Sequence, residues 1–239
     1  MTTPQPPEPQ SAAPRRIGLH RFSAAEFLIA VVLLFVVSPF VELIPGGNLI
    51  ETVLITLVLV MGVLAVGRRR RTLVVAVILA LPAFIGKWVN HFRPDWVPTE
   101  VFLVTGLLFV IFVLAHLLGF ILRAPRVNSE VLCAGISTYL LLGLSWSFAY
   151  LLVAQLAPDA FFLNNGTTTG HSLHGADAFY FSLITLSTVG YGDIIPVSNV
   201  ARMLAAMEAI TGSLFVAVLI ARLVALYSSE RLRSGEPKH

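Results

Sequence analysis

The six residues Thr188-Val189-Gly190-Tyr191-Gly192-Asp193 carry the most specific chemistry in this chain. Two glycines alternate with a β-branched residue and an aromatic. Glycine adopts positive-φ backbone that other residues avoid. A segment with that freedom at every second position can turn successive carbonyl oxygens towards one axis. The side chains of Val189 and Tyr191 then point away from it. A file of carbonyls replaces the hydration shell of a bare cation at little net cost. Thr188 adds a hydroxyl at one end of the file. No histidine–carboxylate cluster or activated nucleophile accompanies the loop, so nothing points to an enzyme or a bound cofactor.

Such a loop has to be held, and the segment before it is suited to the task. Residues 176–187 are apolar but only about half as long as a membrane span needs. That length fits a buried, re-entrant helix. Asp177 sits in its first turn, where a negative charge is favourable, and its C-terminal end carries roughly −0.5 of an elementary charge. A helix entering from outside would aim that end at the membrane centre, where a cation most needs stabilising.

The rest of the chain reads as membrane protein. Of 239 residues, 56% are apolar and 12% charged, and mean hydropathy is +0.85. Soluble domains carry about a quarter charged residues. Six segments are long and apolar enough to span: Phe22–Ile44, Leu49–Val66, Leu73–Val89, Thr99–Leu122, Val131–Leu156 and Val200–Tyr227. The expected fold is therefore all-α, with six transmembrane helices, a pore helix over 176–187, a loop over 188–193 and an inner helix over 200–227. A four-helix bundle fills residues 23–122, and a pore domain fills 129–228. Residues 1–22, rich in proline and basic near Arg21, read as a disordered tail with no secretory signal. Residues 229–239 read as a short tail. The basic residues concentrate on one side, which places both termini in the cytoplasm. Four consecutive arginines, Arg68–Arg71, anchor that topology and are candidates for anionic-lipid contact. They are too few to suggest nucleic-acid binding. The single cysteine, Cys133, lies in an apolar run and reads as a packed residue.

The TVGYGD loop, its short helix and its two flanking spans resemble the pore region of potassium channels, from about Leu132 to Leu226. The whole chain resembles a bacterial six-transmembrane, one-pore member of that superfamily, though the first four spans match only in number and topology. The resemblance implies a homotetramer in the bacterial plasma membrane. It places permeant K+ at the carbonyls of Thr188, Val189, Gly190 and Tyr191, with Gly192 completing the filter. It puts Tyr180 and Phe181 where aromatics buttress the filter. Some relatives carry a carboxylate in the pore helix that pairs with the acid after the filter. Here that position is Ile184, which leaves Asp193 without that partner; a bond from the Tyr180 hydroxyl is a candidate replacement.

In the sixth span, Gly212 falls where relatives keep a hinge glycine, and close helix packing is the structural alternative. Helical spacing from Gly212 aligns Ser213, Val216, Ile220 and Val224 as a pore-facing stripe and gate. Glu208 is the one carboxylate well inside a span. Such an acid is functional by default, either as a structural hydrogen-bond acceptor for Ser182 or Thr185 or as a proton sensor. Arg202 and Arg222 fit snorkelling to opposite interfaces. His171 and His174 read as solvated loop residues, and Asn165-Gly166-Thr167 is a formal glycosylation sequon.

The fourth span has no arginine or lysine in its interior; His116 is its one basic residue, and Arg123 stands at its end. The first four spans are therefore not expected to sense voltage. The link after Leu122 is short and broken by Pro125, which favours each bundle packing on its own subunit's pore. Two other function classes remain open at this level: a subunit of a potassium transporter, and a non-conducting regulatory or sensor protein.

Overall fold

A computed structural model describes residues 24–41, 46–67, 70–93, 96, 98–164, 169–170 and 173–234, with side chains omitted for 169–170 and 229–234. The N-terminal tail, Arg68, Arg69, the 165–167 sequon, His171 and residues 235–239 lie outside that set.

The protein is a multi-pass, all-α membrane protein. Among the described residues six helices are long and apolar enough to cross a membrane: α1 (Ala24–Val41), α2 (Gly47–Val66), α3 (Arg70–Phe92), α4 (Thr99–Arg123), α5 (Ser129–Leu156) and α7 (Asn199–Ser234). The half-length α6 (Gly175–Leu186) falls between α5 and α7. The spans agree with hydropathy to within a few residues. The main difference is α7, which continues through Ser234 instead of giving way to a tail at residue 229. The sequence from Ser213 to Ser234 has no glycine or proline to stop it.

Helices α1–α4 form one bundle. Its core includes Phe27, Val31 and Leu34 of α1, Val58 of α2, Ala83 of α3, and Phe109 and Val113 of α4. Lipid supplies no hydrophobic drive for helix association, so close approach of small residues matters. Helix α3 uses Ala76, Ala80, Ala83 and Gly86 for this; a Cβ on Gly86 would lie 3.4 Å from Phe102 Cβ. Two polar ties join α2 to α3. Lys87 Nζ lies 2.9 Å from Glu51 Oε1, and Trp88 Nε1 donates to Thr56 Oγ1 at 3.0 Å.

The bundle docks on α5 of the same chain, through α1 and α4. The Phe102 and Phe148 rings meet edge to face at 5.8 Å, and the glycine at 106 leaves room for the Phe148 ring. Phe35 of α1 also reaches Phe179 of α6, at 5.3 Å. Asn128 caps α5 by accepting from Val131 N at 3.0 Å, so only a few residues separate the end of α4 from the start of α5. That tether is short, and α1 and α4 pack on α5 within the one chain.

Between α5 and α6 the chain makes a 3-10 turn at Pro158–Ala160 and a strand β1 (Phe161–Asn164). β1 is the middle of a three-stranded sheet, antiparallel to β2 (Thr169–Gly170) and to β3 (Ile194–Pro196), which directly follows the TVGYGD loop. Sequence reading did not anticipate this sheet.

Candidate functional site

The loop after α6 has the backbone its composition allows. Thr188, Gly190 and Gly192 have φ of 60°, 53° and 81°, while Val189 and Tyr191 between them keep negative φ. Thr188 is the one non-glycine residue with positive φ among those described. Alternation between the two hands turns each peptide unit so that successive carbonyls can face the same side. Added Cβ atoms at Gly190 and Gly192 would meet nothing within 4 Å in this chain. The glycines are thus required by φ, not by space.

Helix α6 anchors the lower end of this loop. The Ile184 carbonyl accepts from both Val189 N (2.8 Å) and Gly190 N (3.1 Å), and the Thr185 carbonyl accepts from Thr188 N at 2.9 Å. No described backbone N–H donates to the carbonyls of Thr188, Val189, Gly190 or Tyr191. These are the oxygens left for a ligand.

At the upper end the Tyr180 hydroxyl donates to Asp193 Oδ2 at 2.7 Å, and Ile194 N donates to Oδ1 at 3.1 Å. The candidate bond to Asp193 therefore exists, and Ile184 is buried at the position lacking a carboxylate. Asn164 N of β1 donates to the Asp193 carbonyl at 2.8 Å, so the sheet clamps the loop's exit. Behind it, Tyr150, Phe161 and Phe181 form an edge-to-face trio with centroids 4.9–5.7 Å apart. His174 Nδ1 lies 3.8 Å from Asp177 Oδ2 at the α6 N-terminus.

Glu208 is fully buried behind α6. Its partners are Ser182, 2.5 Å from Oε1, and Tyr150, which donates to Oε2 at 2.5 Å. Thr185, the other partner suggested by sequence, is not among the hydrogen-bond partners described for Glu208. Ser182 Oγ is also 2.7 Å from the Gly143 carbonyl of α5. Tyr150 and the sheet residues are what sequence reasoning missed. A tyrosine hydroxyl deep in an apolar span needs a partner, and that was the available signal for Tyr150.

One inner-helix reading is corrected. Gly212 does not share the surface of Ser213, Val216, Ile220 and Val224. Those four are exposed in the single chain, whereas Gly212 is buried against α6. A Cβ there would stand 2.3 Å from the Leu186 carbonyl oxygen. Its role is close packing, since adjacent residues on a helix point about 100° apart. Arg222 finds specific partners at the end of a neighbouring span. Its Nη2 donates to the carbonyls of Leu122 (3.0 Å) and Ala124 (3.2 Å), at the C-terminal end of α4. Cations are favoured there. Arg202 is exposed.

Residues 138–229 match the ion-channel family. That stretch holds most of α5, all of α6, the glycine-alternating loop and most of α7. A two-pore potassium channel 1 from Arabidopsis thaliana is 38% identical over 74 residues, covering 30% of this chain and 20% of the relative. The inward rectifier potassium channel Kirbac3.1 from Paramagnetospirillum magnetotacticum is 40% identical over 52 residues, 22% of this chain and 18% of the relative. The voltage-gated potassium channel Kch from Escherichia coli K12 is 60% identical over 35 residues, 15% of this chain and 8% of the relative. The pore half of this chain is similar to potassium channels. The chain spans about a fifth of the length of the two-pore relatives it matches. The likeness gathers on the C-terminal half, where the geometry above is concentrated.

Proposed function

We propose that the chain is one subunit of a homotetrameric, potassium-selective channel, with residues 188–193 as its filter. The alternating φ from Thr188 to Gly192 carries this reading. K+ sits at successive carbonyls of Thr188, Val189, Gly190 and Tyr191, with the Thr188 hydroxyl at the inner end, and passes down its gradient. One chain supplies one side of such a cage. Closed rotational symmetry supplies the rest, and four subunits are what the resemblance implies. The single chain also leaves surfaces that assembly would cover. Val189 and Tyr191 are 53% and 73% exposed, and α7 is the least buried of the six spans.

The exposed stripe Ser213, Val216, Ile220 and Val224 lines the inner vestibule, with a ring of Ile220 or Val224 able to close it by dewetting. The bundle packs beside its own pore and is not a voltage sensor. Both termini are cytoplasmic in a bacterial plasma membrane. Arg70 and Arg71 at the start of α3, with Arg68 and Arg69, are offered to anionic lipid.

Reconstituted protein between potassium and sodium solutions tests the reading. The reversal potential should lie near that of potassium, with rubidium permeant. Gly190→Ala should abolish selective flux, because an L-residue at φ near +53° costs about 1–2 kcal/mol per subunit. Equal sodium and potassium permeability of the natural protein would overturn it, and native mass measurement tests the tetramer.

A further inference from the structure

Glu208 belongs to no element of the proposed ion path, yet it is the charged-type residue buried most deeply in the pore half. It joins three helices: its own α7, α5 through Tyr150, and α6 through Ser182. Ser182 is then joined to α5 again at the Gly143 carbonyl. Tyr150, Ser182 and Glu208 are each fully buried, so every contact among them should hold a proton.

Counting protons decides how they are held. There are three contacts: Tyr150 with Oε2, Ser182 with Oε1, and Ser182 with Gly143 O. Tyr150 brings one proton and Ser182 brings one. The Gly143 carbonyl can only accept. A carboxylate would leave three contacts with two protons. Two oxygens would then face each other at hydrogen-bond distance with nothing between them. A carboxylic acid supplies the third proton. It donates from Oε1 to Ser182 Oγ, Ser182 donates to Gly143 O, and Tyr150 donates to Oε2. The groups around Glu208 agree with this count. The titratable neighbours on α5 are Tyr150 and, within electrostatic reach, Tyr139. α6 presents Ser182, and among the described residues no Lys, Arg or His pairs with Glu208.

We propose that Glu208 is a positioning residue for the filter, working as a carboxylic acid that donates to Ser182 and accepts from Tyr150. Ser182 stands two residues before Ile184, whose carbonyl holds Val189 N and Gly190 N. Glu208 thereby sets where α6 lies between α5 and α7, and α6 sets the base of the filter. The consequence for permeation rests on the channel reading; the proton on Glu208 does not.

The test uses the full-length protein in liposomes at neutral pH, comparing the natural chain with Glu208→Gln and Glu208→Ala. Infrared spectra of the natural protein should show an unionised carboxyl C=O stretch that shifts in D2O and is missing from Glu208→Gln. A glutamine amide can donate to Ser182 and accept from Tyr150, so Glu208→Gln should keep the potassium-to-sodium permeability ratio within about twofold and melt like the natural protein. Glu208→Ala leaves Tyr150 unpaired and should lower the ratio about tenfold or more. An absent carboxyl band, or a Glu208→Gln variant as impaired as Glu208→Ala, would overturn the proposal. If Glu208→Ala does not assemble, the band and the Glu208→Gln melting curve still decide it. Unselective flux in the natural protein would strike the channel reading instead, and leave the band and the melting curves to decide the role of Glu208.

Discussion

Gly212 of α7 lies directly against the carbonyl of Leu186, the last residue of α6. A Cβ at 212 would approach that oxygen to 2.3 Å, the Leu186 carbonyl carbon to 3.1 Å and its Cδ1 to 2.9 Å. Two of these neighbours are backbone and cannot rotate away. Gly212→Ala should therefore push the two helices apart at the base of the proposed filter. The expected cost is about 1–3 kcal/mol per subunit, the usual range for overpacking. Thermal unfolding in detergent should show a lower midpoint, and flux assays should show reduced potassium selectivity. A variant with natural stability and selectivity would mean that the contact does not constrain the filter.

Tyr180→Phe removes one hydroxyl and leaves the ring. Asp193 then keeps Ile194 N at 3.1 Å but loses the 2.7 Å bond across to the pore helix. Tyr180 is 37% exposed, so the loss should be about 1.5 kcal/mol, the low end for a charged acceptor. The outer end of the filter should become less persistent. At constant voltage, current through this variant should decline faster than through the natural channel, most clearly in low external potassium. An unchanged time course would remove Tyr180 from filter support.

Arg222 ties the inner helix to the last carbonyls of α4, far from the filter. Arg222→Gln should lower the melting temperature, with a loss of about 1.5–3 kcal/mol for bonds from a charged donor, and leave the permeability ratio unchanged. Arg222→Lys should fall between, since an ammonium is a point charge without the guanidinium's planar fork. A change in selectivity would show that Arg222 acts on the filter as well.

Voltage should matter little. The buried face of α4 is Phe102, Leu103, Gly106, Phe109, Val110, Val113, Leu117 and Ile121, with no charge among them. His116 is exposed, its ring tilted against Phe112 with centroids 4.3 Å apart. One elementary charge crossing the field is worth about 2.3 kcal/mol per 100 mV, and voltage sensors use about 3–4 per subunit. Conductance in symmetric potassium should therefore be nearly independent of voltage. A steep conductance–voltage curve that survives Arg123→Gln would contradict this.

Six spans, a half-length helix and a glycine-alternating loop are all written in local pattern. Hydropathy over about 20 residues identifies a span, and Gly190 and Gly192 announce positive φ before any fold is known. The missing arginines of α4 are equally local. What the sequence by itself could not determine is which faces of the helices meet. In a soluble helix, polar residues mark the outer face. In lipid, both the outer face and the packed face are apolar, so periodicity says little about rotation. Nothing local marks Gly212 as facing Leu186 rather than the stripe of Ser213 and Val216, or Arg222 as meeting Leu122 and Ala124. The Tyr150–Glu208–Ser182 network joins residues 26 and 58 positions apart in sequence. The β1–β3 clamp pairs Phe161 with Pro196. Only the tertiary structure brings such partners together, because buried hydrogen bonds are satisfied by whichever groups the packing of α5, α6 and α7 places within reach.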